Sequence, residues 1–285
     1  MIRQSLPTRG RSIACIVSLA IVSLFFTNFS KAQSPQQTPP FNGIAHIAIR
    51  VHNLDASRDF YKKLGFDEAF ALSKNGAVYQ SFIKLDDRQF IELYPTTAKD
   101  PDVGFLHLCF ESDNLQAVYD DYIARGVHPN FKIRKAGAGN LLFTMKGPMQ
   151  ASGPQNIEYT QYMPGSRHYS DRGQHLGADR VGTKLVSVTL AMQDPAAARD
   201  FYLKQLQFTP DAHHPDVFDL PGTSGEQVEI VPVASLGSKG RITLATASLK
   251  NSARLLKQAH VAFKKSRKSL AVTDPDGNLV VIEAR

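Results

Sequence analysis

The chain has 285 residues, with 33 Lys or Arg against 26 Asp or Glu, for a formal net charge of +7. This length allows one or two domains. The basic residues form no long stripe with interleaved aromatic residues, so the composition argues against a nucleic-acid partner.

The first 32 residues are predicted to be a secretory signal peptide. A basic start precedes an apolar run at 13–26, and small residues follow up to Ala32. The run is shorter than the roughly 20 residues of a spanning helix, which disfavours an uncleaved anchor. We expect a periplasmic or secreted protein without stable membrane association after cleavage. Removing four basic residues with the peptide leaves a charge of +3 and one cysteine, Cys109, which excludes an internal disulfide.

A repeating order of strands and helices follows a polar, proline-rich linker at 33–40. Helical spacing of apolar residues, capping side chains and closing glycines mark the two helices of the first half. The first unit has a strand at 44–51, a helix from Asn53 or Asp55 to Gly65, and strands at 77–85 and 89–94; the second has a strand at 105–110, a helix from Asp113 to Gly126, and strands at 141–145 and 156–162.

The pattern restarts in the second half of the chain. Residues 164–182 lack periodicity and are predicted to be an interdomain connection, in which His168 and His175 are solvated loop residues. The tetrapeptide Arg-Asp-Phe-Tyr then recurs, at 58–61 and at 199–202, and fixes the register between the two halves.

The sequence therefore predicts an α+β fold of four βαβββ modules in two pairs. One module exposes a face of its sheet and cannot bury it alone, so we expect each pair to form a curved sheet around a cavity. The two domains are predicted at 41–163 and 183–285.

Four polar residues interrupt the apolar strands of the first domain at matching places. His46 and His107 lie in the first strands of the two modules, and Glu92 and Glu158 lie in the last strands. A buried ionised carboxylate is costly unless it is paired or coordinated. Related modules would bring these four residues together around a pseudo-twofold axis, which predicts one divalent metal site.

These features resemble the vicinal oxygen chelate superfamily, which includes glyoxalase I, extradiol dioxygenases and bleomycin-resistance proteins. The resemblance covers residues 41–285 and rests on the strand with His46, the Arg-Asp-Phe-Tyr helix, Ile-Glu-Leu at 91–93 and Asp-Pro-Asp-Gly-Asn at 274–278. It implies a metal set of His46, Glu92, His107 and Glu158, with nickel, cobalt, zinc, manganese or iron as the ion.

The resemblance implies a metal-dependent lyase or isomerase that acts on a small, oxygen-rich carbonyl compound through a metal-stabilised enediolate. Glu158, or else Glu92, would leave the metal and act as the base. An export signal disfavours a glutathione adduct as the substrate. Because the metal set is intact, the resemblance favours an enzyme.

Two alternatives stay open. If Glu92 does not ligate, His46, His107 and Glu158 form the two-histidine, one-carboxylate set that suits iron(II) and O₂, as in an extradiol dioxygenase. The other alternative is a binding protein that uses the cavity without catalysis, as in bleomycin resistance.

The second pair of modules departs from the pattern. Ser187 stands where the first pair has His46, and Thr243 where it has His107, while Glu229 and Glu283 remain. Ser and Thr are poor ligands for first-row metals. We therefore expect a degenerate domain that covers the first, in a monomer or a homodimer.

Overall fold

A computed structural model describes residues 38–222 and 225–285. The predicted signal peptide at 1–32 and most of the predicted linker at 33–40 lie outside the described residues. Within the described ranges, no helix is both long and apolar enough to span a membrane. Cys109 is buried, with a free thiol.

Four units, each of a strand, a helical segment and three strands, succeed one another along the chain. The first unit contains β1 (Gly43–Val51), α1 (Leu54–Lys63), β2 (Glu68–Lys74), β3 (Ala77–Lys84) and β4 (Phe90–Pro95); the second contains β5 (Gly104–Glu111), α2 (Leu115–Ala124), β6 (Arg134–Lys135), β7 (Leu141–Gln150) and β8 (Gly153–Gln161). Sequence analysis missed β2 and the two-residue β6.

A short helix, α3 (Arg167–Ser170), interrupts the segment that was predicted to be irregular. The third unit contains β9 (Lys184–Met192), α4 (Pro195–Asp200) with a π-helical turn (Phe201–Gln205), β10 (Thr209–Pro210), β11 (Val217–Asp219) and β12 (Gln227–Pro232); the fourth, after α5 (Val233–Leu236), contains β13 (Arg241–Thr246), α6 (Leu249–Gln258), β14 (Lys264–Lys265), β15 (Ser269–Thr273) and β16 (Leu279–Ala284).

Each pair of units forms one open, eight-stranded sheet. The strand orders are β2-β3-β4-β1-β5-β8-β7-β6 and β10-β11-β12-β9-β13-β16-β15-β14. The first strands of the two units pair antiparallel at the centre, and the last strand of each unit lies parallel beside its own first strand. The predicted fold class, α+β with four paired βαβββ modules, is confirmed, and neither sheet closes on itself.

The main helices begin where short polar side chains accept backbone hydrogen bonds. Asn53 accepts from Ala56 N at 3.0 Å, and Asn114 accepts from Ala117 N at 3.2 Å. Of the two predicted caps of α1, the chain thus uses Asn53. The same arrangement starts α4 at Asp194 and α6 at Ser248.

A buried ion pair holds the connecting segment against the first sheet. Lys84, on β3, is fully buried, and its Nζ donates to both Oδ2 and the backbone oxygen of Asp171 at 2.6 Å. Asp171 is itself 6% exposed and follows α3 directly. The segment predicted as a loose connection is therefore fixed to the sheet by a charge pair that water does not screen.

Removing one charge of this pair is expected to cost more stability than removing both. Asp171→Ala leaves the buried ammonium with only the half-exposed Asp87, at 3.7 Å, as a charged partner and should lower the free energy of unfolding by about 3 kcal/mol. Lys84→Met/Asp171→Ala should recover much of that loss. Urea unfolding followed by circular dichroism measures both values. Equal losses in the single and the double variant would contradict this account.

Candidate metal centre

The four central strands of the first sheet each present one of the predicted ligands. β1 carries His46, β4 carries Glu92, β5 carries His107 and β8 carries Glu158. The strand order β4-β1-β5-β8 places the two histidines on the central pair, with one glutamate on each side. All four residues come together, as the sequence predicted.

The distances from each imidazole to its neighbours are close to those between ligands of one metal ion. His46 Nε2 lies 3.1 Å from His107 Nε2, 3.4 Å from Glu92 Oε1 and 3.5 Å from Glu158 Oε1. His107 Nε2 lies 3.8 Å from Glu92 Oε2 and 4.0 Å from Glu158 Oε2. Metal–ligand bonds of about 2.1 Å put neighbouring ligand atoms about 3 Å apart and opposite ones about 4 Å apart.

Three of the four residues form a group that could hold an ion with one ligand atom each. One ligand atom from each of His46, His107 and Glu158 lies within 4.8 Å of the other two. Glu92 approaches both imidazoles to a similar distance from the opposite side of β1. The geometry therefore holds both a three-residue and a four-residue arrangement of ligands.

Burial favours the uncharged forms of all four groups, and a bound cation would offset this effect for the two carboxylates. Burial lowers the pKa of His107 to about 4 and, together with the neighbouring His107, holds the pKa of His46 well below its usual value. Neutral imidazole is the form that binds metals. Burial, and then the charge of Glu158, raises the pKa of Glu92, and burial also raises the pKa of Glu158. The donor set fits a divalent ion.

Neighbouring side chains orient the ligands unequally. Glu92 Oε2 accepts from Gln80 Nε2 at 2.7 Å and from the Tyr94 hydroxyl at 3.0 Å. Besides the imidazoles, the partner of Glu158 Oε1 among the described residues is the Cys109 thiol, a weak donor at 3.5 Å. Glu92 is thus oriented more firmly than Glu158.

The outer nitrogen of His46 also has a partner. Its Nδ1 lies 3.4 Å from the hydroxyl oxygen of Tyr162. A proton on Nδ1, directed at this oxygen, leaves the Nε2 lone pair free to face an ion. Tyr94 lies two residues from Glu92 on β4, a spacing that places both side chains on one face and could have predicted their contact. No pattern in the sequence predicted the contacts of Gln80 or Tyr162.

The carboxylates open onto a cavity of about 200 Å³. Among the described residues, no Lys or Arg lines it. Its wall combines apolar or aromatic side chains, Leu72, Tyr79, Phe82 and Leu142, with polar ones, Gln80, Tyr94, Asn140 and His168. The walls suit a small, uncharged molecule.

His168 was predicted to be a solvated loop residue, and this was wrong. It lies on α3, is only 2% exposed and lines the cavity. Burial, with the charges of Lys84 and Arg167, lowers its pKa to about 3. The connecting segment is packed, so its histidine is buried. His175, in contrast, is exposed as predicted.

The second sheet places a fixed cation where the first has a histidine. Thr189, the counterpart of Ala48, pairs with Arg241, whereas Ala48 pairs with His107. Thr243 pairs with Ser187 as Cys109 pairs with His46, so Thr243 is the counterpart of Cys109 and the predicted correspondence with His107 was wrong. Arg241 forms an ion pair with Glu229, the counterpart of Glu92. The guanidinium therefore neutralises Glu229, whose counterpart in the first sheet, Glu92, faces the candidate metal site.

Residues 43–151 match the model of the glyoxalase/bleomycin resistance protein/dioxygenase superfamily. This segment, which holds His46, Glu92 and His107, is similar to that superfamily, and the match covers less than half of the chain. No curated protein matches it significantly.

Solved structures show a similar fold over most of the chain. The Mn(II)-bound glyoxalase from Novosphingobium aromaticivorans is 13% identical, with a TM-score of 0.65 over 86% of this chain and 82% of that one. The 2,3-dioxygenase LapB from Pseudomonas sp. KL28 is 14% identical, with a TM-score of 0.60 over 87% of this chain and 93% of that one. An extradiol ring-cleaving dioxygenase from B. fuscum is 15% identical, with a TM-score of 0.63 over 87% of this chain and 73% of that one. At these identities the likeness shows the fold alone.

The amide of Gln80 is expected to contribute to metal affinity through Glu92. Gln80→Leu removes the donor at 2.7 Å, and loss of such an outer partner typically weakens binding about 10- to 100-fold. Competition against a fluorescent zinc chelator measures the affinity. Gln193→Leu, the same change at an exposed position, is the control. Equal zinc affinity in the Gln80 variant and the unaltered protein would show that the amide does not orient a ligand.

Proposed function

We propose that this protein is an exported, metal-dependent enzyme that moves a proton next to a carbonyl group in a small, oxygen-rich compound. The convergence of two histidines and two glutamates at the base of a small cavity carries the proposal. A divalent ion held by these residues would act as a Lewis acid on a substrate oxygen. The ion would be nickel, cobalt, zinc, manganese or iron.

The chain's own residues divide the remaining work. Glu92 is fixed by two donors and stays in place as a ligand. Glu158 is held less firmly, by the imidazoles and a weak thiol donor, and it lines the cavity, so it can accept a proton from a carbon beside the carbonyl. The C–H electron pair forms a C=C bond as the carbonyl π pair moves onto oxygen. Glu158 then returns the proton to the former carbonyl carbon, while the proton of the adjacent hydroxyl passes to the former carbonyl oxygen. The product is an isomer of the substrate, without net oxidation.

A second candidate function has its own observation. One ligand atom from each of His46, His107 and Glu158 lies within 4.8 Å of the others, and two histidines with one carboxylate suit iron(II) and O₂. Two of the similar structures are described as dioxygenases. The alternative is therefore an iron-dependent, extradiol-type dioxygenase.

Export rests on the first 32 residues of the sequence, with their basic start, apolar run and small residues. The protein recovered from outside the producing cells should have an intact mass that begins at Gln33. A mass that begins at Met1, recovered with the membranes, would contradict export. The same preparation serves the metal analysis.

Metal content separates an enzyme of this kind from a binding protein. The exported protein, purified without chelator, is expected to hold about one first-row metal per chain by mass spectrometry. His46→Ala/His107→Ala should lose it, whereas Ser187→Ala/Thr243→Ala, a double change in the second sheet, should keep it. No metal in the unaltered protein, even after reconstitution, would leave a metal-free binding protein.

Proton transfer is tested at Glu158. Exchange of the hydroxymethyl protons of hydroxyacetone with D₂O, followed by NMR, should slow by about 100-fold or more in Glu158→Gln. Glu92→Gln should instead weaken metal binding. No exchange in the unaltered protein, together with bound iron and O₂ consumption on adding a catechol, would replace the isomerase by the dioxygenase.

A further inference from the structure

His168 is a buried polar side chain in the cavity wall that the proposed reaction does not use. Neither ring nitrogen has a hydrogen-bond partner among the described residues. Buried donors and acceptors without partners are rare in native proteins, because each loses its bonds to water on folding. An unpartnered imidazole in a ligand cavity therefore points to a bound molecule.

Four aromatic rings enclose the imidazole on its other sides. Tyr162 stacks on it, with ring centroids 4.3 Å apart and planes 10° apart, and Phe70, Phe82 and Phe90 approach edge to face at 5.0–5.1 Å. Phenylalanine rings offer no more than a weak acceptor face. Both nitrogens are closed off from solvent in the ligand-free protein, so a full hydrogen-bond partner would have to approach them from the cavity that His168 lines.

The imidazole is held rigidly before any ligand arrives. The backbone N–H of Arg167 donates to Ala138 O at 2.8 Å, and the buried Lys84–Asp171 pair fixes the other end of α3. A side chain locked by its surroundings loses little further freedom when it binds. The neutral ring offers one N–H donor and one acceptor nitrogen.

We propose that His168 is a substrate-binding residue that exchanges a hydrogen bond with a small, uncharged compound bearing adjacent hydroxyl and carbonyl groups. This rests on the proposed function, which supplies the metal end of the cavity. The uncharged class follows from the walls, since no Lys or Arg among the described residues lines them. The small size follows from a volume of about 200 Å³, below the roughly 300–1,000 Å³ of most ligand pockets.

Tropolone, a planar ring with adjacent hydroxyl and carbonyl groups, tests this role by its absorption change on binding to the zinc-loaded protein. His168→Phe keeps the ring shape in an aromatic surrounding and is expected to bind tropolone about tenfold more weakly. His168→Asn, which retains a donor and an acceptor, should restore part of the affinity. Zinc content should stay the same in both variants.

His128→Asn is the control, because His128 is exposed and lies outside both the cavity wall and the Lys84–Asp171 pair. It should bind tropolone like the unaltered protein. Equal tropolone affinity in the unaltered protein and His168→Phe, with zinc bound in both, overturns the role of His168 and leaves the proposed function intact. No tropolone binding to the zinc-loaded protein overturns the substrate class.

A failure to bind zinc would defeat the proposed function, and the role of His168 is then decided on metal-free protein. Histidine is labelled with ¹⁵N, and the His168 ring signals are assigned by their loss in His168→Phe. A shift of these signals on adding tropolone supports a ligand-binding imidazole. Unchanged signals overturn it and leave His168 with a structural role among the aromatic rings.

Discussion

Two imidazoles meet across the antiparallel pair of β1 and β5, with their Nε2 atoms 3.1 Å apart in a buried environment. Two charged rings could not lie this close without strong repulsion, so burial that keeps both neutral is a condition of the arrangement. Neutral rings present lone pairs, and a carboxylate lies on each side. The first sheet is therefore organised around a concentration of donor atoms that a cation stabilises.

The second sheet shows what happens to the same frame without histidines. Arg241 supplies a permanent positive charge beside Glu229 and also donates from Nε to Thr189 Oγ1 at 2.8 Å. A guanidinium satisfies the carboxylate without any open position for a substrate oxygen. The same strand arrangement thus holds a candidate metal site in the first sheet and an arginine–glutamate ion pair in the second. The difference lies in very few side chains.

The sequence predicted the features that repeat. Strand periodicity located His46, Glu92, His107 and Glu158, because each module carries its own signal. It could not predict β2, whose central residues alternate weakly, or the bulge between Ile44 and His46, where one extra residue moves Ala45 into a separate cluster. Bulges and register shifts arise from sheet geometry rather than from composition.

The misplaced histidine has the same origin. The Gly, Arg and Asp content of 164–182 is typical of a solvated segment. Lys84 on β3 and Asp171 after α3 nevertheless form a buried ion pair, although 87 residues separate them in the sequence. A polar segment can be buried when its charges are paired, and no local pattern records that pairing. Because the pair fixes α3, it also fixes His168 in the cavity wall. The segment between the sheets is thus part of the site, and changes in it should alter ligand recognition without touching a metal ligand.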